Sequence, residues 1–143
     1  VKLYLILAAF LATTACDPPE ARRQAELMNT IERKITLPPG AGAVERFARA
    51  YKFASPDRVE ALYFIPEEEP DRMFCEGTKR YGHKNGQIAL ACPPPDGMKA
   101  GERRWFADDV ILPFVSDGAC AYIDVEYQVG SKTVPKASCH GEG

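Results

Sequence analysis

The chain has 143 residues, 45% of them hydrophobic and 27% charged, with a formal net charge of −2. This suits one globular domain and excludes a collagen-like or wholly disordered chain. The weakly acidic balance argues against nucleic acid as a partner, since affinity for phosphate backbones comes from clustered Lys and Arg. The pairs Arg22-Arg23, Lys79-Arg80 and Arg103-Arg104 form no readable basic face.

The chain opens on Lys2 and an unbroken apolar run from Leu3 to Ala12, followed by the small residues Thr13-Thr14-Ala15. The run is too short to span about 30 Å of hydrocarbon as a helix, but it has the length of a secretory leader. Residues 1–15 are therefore expected to be a signal peptide, and 16–143 a single exported domain. The stretch Leu11-Ala12-Thr13-Thr14-Ala15-Cys16 resembles the lipobox of bacterial lipoproteins, with Thr13 standing where that family usually has Leu or Val. The resemblance implies lipidation of Cys16, attachment to a membrane through that lipid, and a periplasm-facing place in the cell envelope. Ordinary leader cleavage after Ala15 is the alternative, and the choice of inner or outer membrane stays open.

Cysteine parity supports the lipid. The cysteines are Cys16, Cys75, Cys92, Cys120 and Cys139. Export places them where disulfides persist. Four can pair, and lipidation of Cys16 accounts for the odd one. The favoured pairing is local, Cys75 with Cys92 and Cys120 with Cys139, because each pair joins segments that read as neighbouring strands. The two crossed pairings remain open.

Asp17-Pro18-Pro19-Glu20 reads as a helix start, with Asp17 as the cap. Ala21, Ala25, Met28, Ile31 and Ile35 then fall at helical spacing, with Leu27 beside them. Leu37-Pro38-Pro39-Gly40 ends this amphipathic helix. Residues 45–53 fit either a helix or a strand, in which Phe47, Arg49, Tyr51 and Phe53 would share a face. The turn Ala54-Ser55-Pro56-Asp57 and the aromatic, branched run 58–65 favour a hairpin. Arg72–Cys75 and Gln87–Cys92 read as short strands, the second preceded by the turn signal Asn85-Gly86. Lys99–Gly118 has no period. Ala119–Val129 alternates, turns at Val129-Gly130-Ser131-Lys132, and returns through Thr133–Cys139, where Pro135 suggests a sheet edge. The expected fold is α+β: one N-terminal amphipathic helix packed on an antiparallel sheet of short hairpin-linked strands, held by disulfides.

Few residues carry chemistry. His83, His140 and the cysteines lack the close cysteine spacing of structural zinc sites, so no metal and no cofactor is expected. A free-thiol nucleophile is consumed by oxidation. Asp108-Asp109, Asp117, and Asp124 with Glu126 on one strand face could supply a carboxylate pair for a hydrolase, although a solvated face opposite Ile123, Val125 and Tyr127 is the favoured reading. Gly40-Ala41-Gly42 joins no strand to a helix, and Ser116-Asp117-Gly118 reads as a turn. The aperiodic stretch 99–118 stands out. Long loops in compact domains are often functional, and Trp and Arg are enriched in binding hot spots. Arg103, Arg104, Trp105 and Phe114 are thus the candidate binding residues, set against a plain role for Trp105 and Phe114 in covering the core.

The phrases Leu-Pro-Pro-Gly-Ala, Gly-Glu-Arg-Arg-Trp and Ser-Asp-Gly-Ala-Cys look similar to small lipoproteins of alphaproteobacteria, a resemblance that brings a compartment but no activity. The expectation is a non-catalytic envelope lipoprotein that binds another protein or an envelope polymer. The alternatives are an enzyme inhibitor presenting the 99–118 loop, and a small hydrolase using paired carboxylates.

Overall fold

The structure is a computed structural model that describes residues 18–66, 72–81, 92 and 97–141. The expected leader, Cys16, Asp17, His83, the Asn85-Gly86 turn and most of the expected strand 87–92 lie outside the described residues.

The first helix, α1, spans Pro19–Lys34. Pro18 takes the cap position and no side chain caps the helix end. Pro19 suits the first turn because its fixed φ is already helical and its missing N–H would have been orphaned anyway. Glu20 at the start and Arg33 and Lys34 at the end complement the helix dipole. Ile31 is fully buried, and Leu27, Met28 and Ile35 pack against the same core. Ala21 and Ala25, expected on that stripe, are exposed. The helix therefore meets the sheet through its second half, while Arg23 in the first half lays its guanidinium over the Phe53 ring, 4.8 Å from the centroid.

After a turn through Gly40 and Gly42, both at positive φ, the chain forms β1 (Ala48–Ser55) and β2 (Arg58–Phe64). The pair is an antiparallel hairpin about Pro56-Asp57, which resolves the ambiguity of 45–53 as strand from Ala48 onward, after a single 3-10 turn at Val44–Arg46. Residues Arg72–Tyr81 form a second helix, α2, where Arg72–Cys75 was expected to be a strand. Four residues are too few to distinguish period 2 from period 3.6, and the helix extends well past Cys75. Next, β3 (Arg103–Trp105) runs parallel to β1, so the sheet is mixed rather than wholly antiparallel. Parallel pairing needs a long crossover rather than a hairpin turn, and the segment between β2 and β3 is long enough to supply one. Finally, β4 (Ala119–Gln128) and β5 (Thr133–His140) form an antiparallel hairpin. The strand order is β3-β1-β2-β4-β5. That order puts β5 at an edge, where Pro135 removes no central ladder bond.

Side chains alternate across this sheet. One face carries Phe47, Tyr51, Phe53, Val59, Tyr63, Ile123, Val125 and Tyr127, with Ile31 of α1 buried among them. The other buries Ala48, Ala50, Leu62, Phe64 and Met98, with Phe106, Leu112 and Tyr122 packed against them. The second cluster is smaller, and residues of the 97–118 segment help to cover it.

Two disulfides close the chain locally, Cys75–Cys92 and Cys120–Cys139. The second joins neighbouring strands β4 and β5, whereas the first ties α2 to Cys92. With a sequence separation of 19 between Cys120 and Cys139, loop-closure entropy gives about 3 kcal/mol of stabilisation. Replacing both with serine should lower the unfolding free energy by about that amount in urea melts. An unchanged midpoint would show that the β4–β5 register needs no crosslink.

Candidate functional site

The loop after β3 is held at several points, although it has no regular structure. Its backbone begins with Phe106 N–H donating to the Tyr51 carbonyl at 2.7 Å. Lys52 Nζ then donates to the carbonyls of Asp108 (3.0 Å) and Val110 (2.7 Å). At the far end, His140 Nδ1 lies 2.8 Å from the Val115 carbonyl. A carbonyl only accepts, so this nitrogen donates. Leu112 packs against the second core cluster. Between these anchors, Ile111 is 53% exposed and Phe114 82% exposed. The Phe114 ring rests on His140, with centroids 5.4 Å apart.

Below Ile111–Phe114 lies a groove of about 320 Å³ over the second sheet face. Its floor is a row of charges set by strand register: Lys52 opposite Glu60, Glu60 opposite Glu126, and Glu126 opposite Lys136. Two carboxylates face each other at the centre, which is unfavourable in isolation, and a lysine flanks each of them. Lys52 Nζ is 3.2 Å from Glu60. Asp124, one alternation along β4, has an oxygen 2.7 Å from His140 Nε2. That nitrogen is buried and the pair is poorly aligned for a hydrogen bond. Asp124 and Glu126 thus line the groove, with Asp124 turned to His140.

A second, more open groove of about 650 Å³ lies on the other side of the same loop, against the first half of α1. Phe53, Trp105 and Phe106 supply its aromatic wall, and Glu20, Asp108 and Asp109 its acidic rim.

The candidate residues divide between these surfaces. Trp105 stacks on Tyr51 (6.3 Å, 7° between planes) and meets Phe53 edge-on at 4.9 Å; it is half-buried and serves both the core and the open groove. Arg103 Nη1 donates to Asn29 Oδ1 at 2.7 Å and sits 3.3 Å from Glu32. Arg104 pairs with Glu102 and donates to the Gly97 carbonyl. Burial raises the Glu102 carboxyl, but the Lys99 N–H and the Arg104 guanidinium outweigh it and hold the group below its ordinary value. Both arginines therefore fasten the segment, while Phe114 stands out from it. Cys75, Cys92, Cys120 and Cys139 are consumed in crosslinks. Among the described residues, no group of three His, Cys, Asp or Glu is placed to hold a metal ion, and no helix is long and apolar enough to cross a membrane.

One constellation escaped the sequence reading. Glu32 of α1 accepts from the Tyr51 hydroxyl at 2.8 Å and pairs with Arg49 at 3.0 Å and Arg103 at 3.3 Å. Tyr51 and Tyr63 share a hydroxyl–hydroxyl bond of 2.9 Å, and Arg49 Nη2 donates to the Gly101 carbonyl at 2.7 Å. This network binds α1, β1, β2 and β3 together. The signal was an arginine on the apolar face of β1, alternating with Phe47, Tyr51 and Phe53. A buried guanidinium requires an acid, and Glu32 sits beside Ile31 on the helix.

The chain matches no protein-family profile, no curated protein and no solved structure.

Proposed function

We propose that this chain is a non-catalytic lipoprotein of the cell envelope that binds another protein through the loop bearing Ile111 and Phe114. In this reading, residues 1–15 direct export and Cys16 carries the lipid. The amphipathic helix α1 starts just after the anchor and seats the domain at the membrane surface.

The observation that carries the binding claim is Phe114, 82% exposed on a loop pinned by Lys52 and His140. A large apolar side chain held out on a fixed backbone has already lost part of the freedom that binding removes, and such preorganised aromatics make effective anchors. Ile111 and the groove beneath extend the apolar contact, and the charged row supplies polar partners around it. If the captured partner is an enzyme, the same loop acts as an inhibitor.

A photo-crosslinking residue placed at 114 should yield one major adduct in living cells, while the same residue at 132, at the far end of the β4–β5 hairpin, should not. Equal labelling at both positions, or none at 114, would reject the binding surface. The variant I111S/F114S should abolish the partner complex and keep unfolding stability within about 1 kcal/mol of the parent, since exposed side chains contribute little to the fold.

A further inference from the structure

We infer that the open groove between the first half of α1 and residues 105–109 receives cationic side chains, arginine or lysine, of a partner polypeptide.

The groove pairs an aromatic wall with an acidic rim. Phe53, Trp105 and Phe106 form the wall, and Glu20, Asp108 and Asp109 the rim. Cations are attracted to the negative faces of aromatic rings, and the attraction adds to that of a nearby carboxylate. The protein itself shows that this wall accepts a guanidinium. Arg23 lies over the Phe53 ring at 4.8 Å and is drawn toward Glu20, 3.7 Å away. That internal pair leaves Asp108 and Asp109 unsatisfied. Both are exposed, and neither carboxylate has an ion-pair or hydrogen-bond partner among the described residues. Arg104 lies over the Phe106 ring at 5.7 Å and is paired with Glu102, while Lys52 is directed at the backbone carbonyls of Asp108 and Val110 and at Glu60. The rim therefore keeps a net negative charge beside an aromatic surface. The backbone beneath it is fixed by the same lysine, so the carboxylates are presented rather than trailing.

At about 650 Å³, the groove admits one or two side chains. It shares the 105–114 loop with the proposed Ile111–Phe114 surface, so a partner crossing that loop would place an apolar segment on one side and a basic one on the other. Only the identity of the carrier rests on the protein-binding reading; affinity for the cation stands by itself.

The test uses the whole exported domain and the blocked dipeptide N-acetyl-Arg-Arg-amide. Trp105 is the only tryptophan in the chain, and its fluorescence reports the groove directly. A saturable change in emission is expected. It should weaken by about fivefold or more in the double variant D108N/D109N, as removal of two exposed charge partners implies, and it should fade as salt rises from about 0.02 M to about 0.5 M. The dipeptide N-acetyl-Glu-Glu-amide should give no saturable response. The absence of saturation with the basic dipeptide would overturn the inference, as would an equal response to the acidic one or unchanged affinity in D108N/D109N. Thermal melting of D108N/D109N checks its folding, and E20Q offers an independent rim variant with the same expected direction. The titration needs no natural partner. A null result here therefore removes the cation site alone, and a failed crosslink at 114 removes the protein-binding surface alone.

Discussion

Replacing Glu32 with alanine should lower the unfolding free energy by about 3 to 5 kcal/mol, the range for removing one partner of a buried ion pair. The Arg49 side chain is 10% exposed and Glu32 20%, so water cannot replace the lost carboxylate. Three groups lose an acceptor at once: the Arg49 guanidinium, which keeps only the Gly101 carbonyl, the Tyr51 hydroxyl and, more weakly because it is part-exposed and keeps Asn29, Arg103. Arg49 Nε already has no hydrogen-bond partner, so only the Gly101 carbonyl would remain to the guanidinium. Glu32→Gln keeps an oxygen for Tyr51 but not the charge, and should lose less. Urea melts tracked by Trp105 fluorescence measure both. A loss below about 1 kcal/mol for Glu32→Ala would mean that the pair behaves as an exposed one and that α1 is held by Ile31 and its apolar neighbours alone.

Stability should also fall steeply above pH 10. Burial pushes the Tyr63 hydroxyl up to about 12, with the Tyr51 hydrogen bond pulling the other way. Burial pushes Tyr51 higher still, reinforced by the neighbouring Tyr63 and by the Glu32 carboxylate. In the unfolded chain both ionise near pH 10. Between these values, the folded protein retains protons that the unfolded chain releases, and stability falls as pH rises. The contribution is complete below pH 10 and disappears above it at about 1.4 kcal/mol per pH unit for each tyrosine. The Tyr63 share ends near pH 12, while that of Tyr51 continues beyond. Tyr51→Phe should roughly halve the slope between pH 10 and 12. A stability profile that stays level through this window would contradict the buried hydroxyl pair.

Much of the fold was legible because it is local. The β1–β2 and β4–β5 hairpins announce themselves through alternation on either side of Pro56-Asp57 and Gly130-Ser131. The disulfides respect chain neighbourhood in the same way. The misreadings fall where local pattern carries no information. Arg72–Cys75 has too few residues to fix a period, and its helix continues to Tyr81. Strand β3 is three residues whose partners lie far away in sequence: Arg49 N–H bonds the Glu102 carbonyl and Phe106 N–H the Tyr51 carbonyl. No periodicity within 103–105 reports such pairing. Ala21 and Ala25 show the converse, an apolar spacing that continues beyond the point where the sheet ends.

The site was legible as a segment but not in its division of labour. Trp105 and Phe114 look alike in composition, yet Trp105 lies on Tyr51 and Phe53 while Phe114 projects into solvent. The arginines suggested binding, and both are engaged inside the molecule, Arg103 with α1 and Arg104 with Glu102. The lysine that fixes the loop, Lys52, drew no attention because it belongs to β1. Its reach across to Asp108 and Val110 makes the loop a rigid partition between two grooves.

The proposed function has the domain working outside the cytoplasm, oxidised and held by lipid. Intact mass spectrometry of the non-reduced protein purified from cell membranes tests this most directly. The account predicts a chain beginning at Cys16 with acyl mass attached, and lighter by four hydrogens for the two disulfides. A chain that retains residues 1–15, carries no lipid and has free thiols at Cys75, Cys92, Cys120 and Cys139 would contradict it.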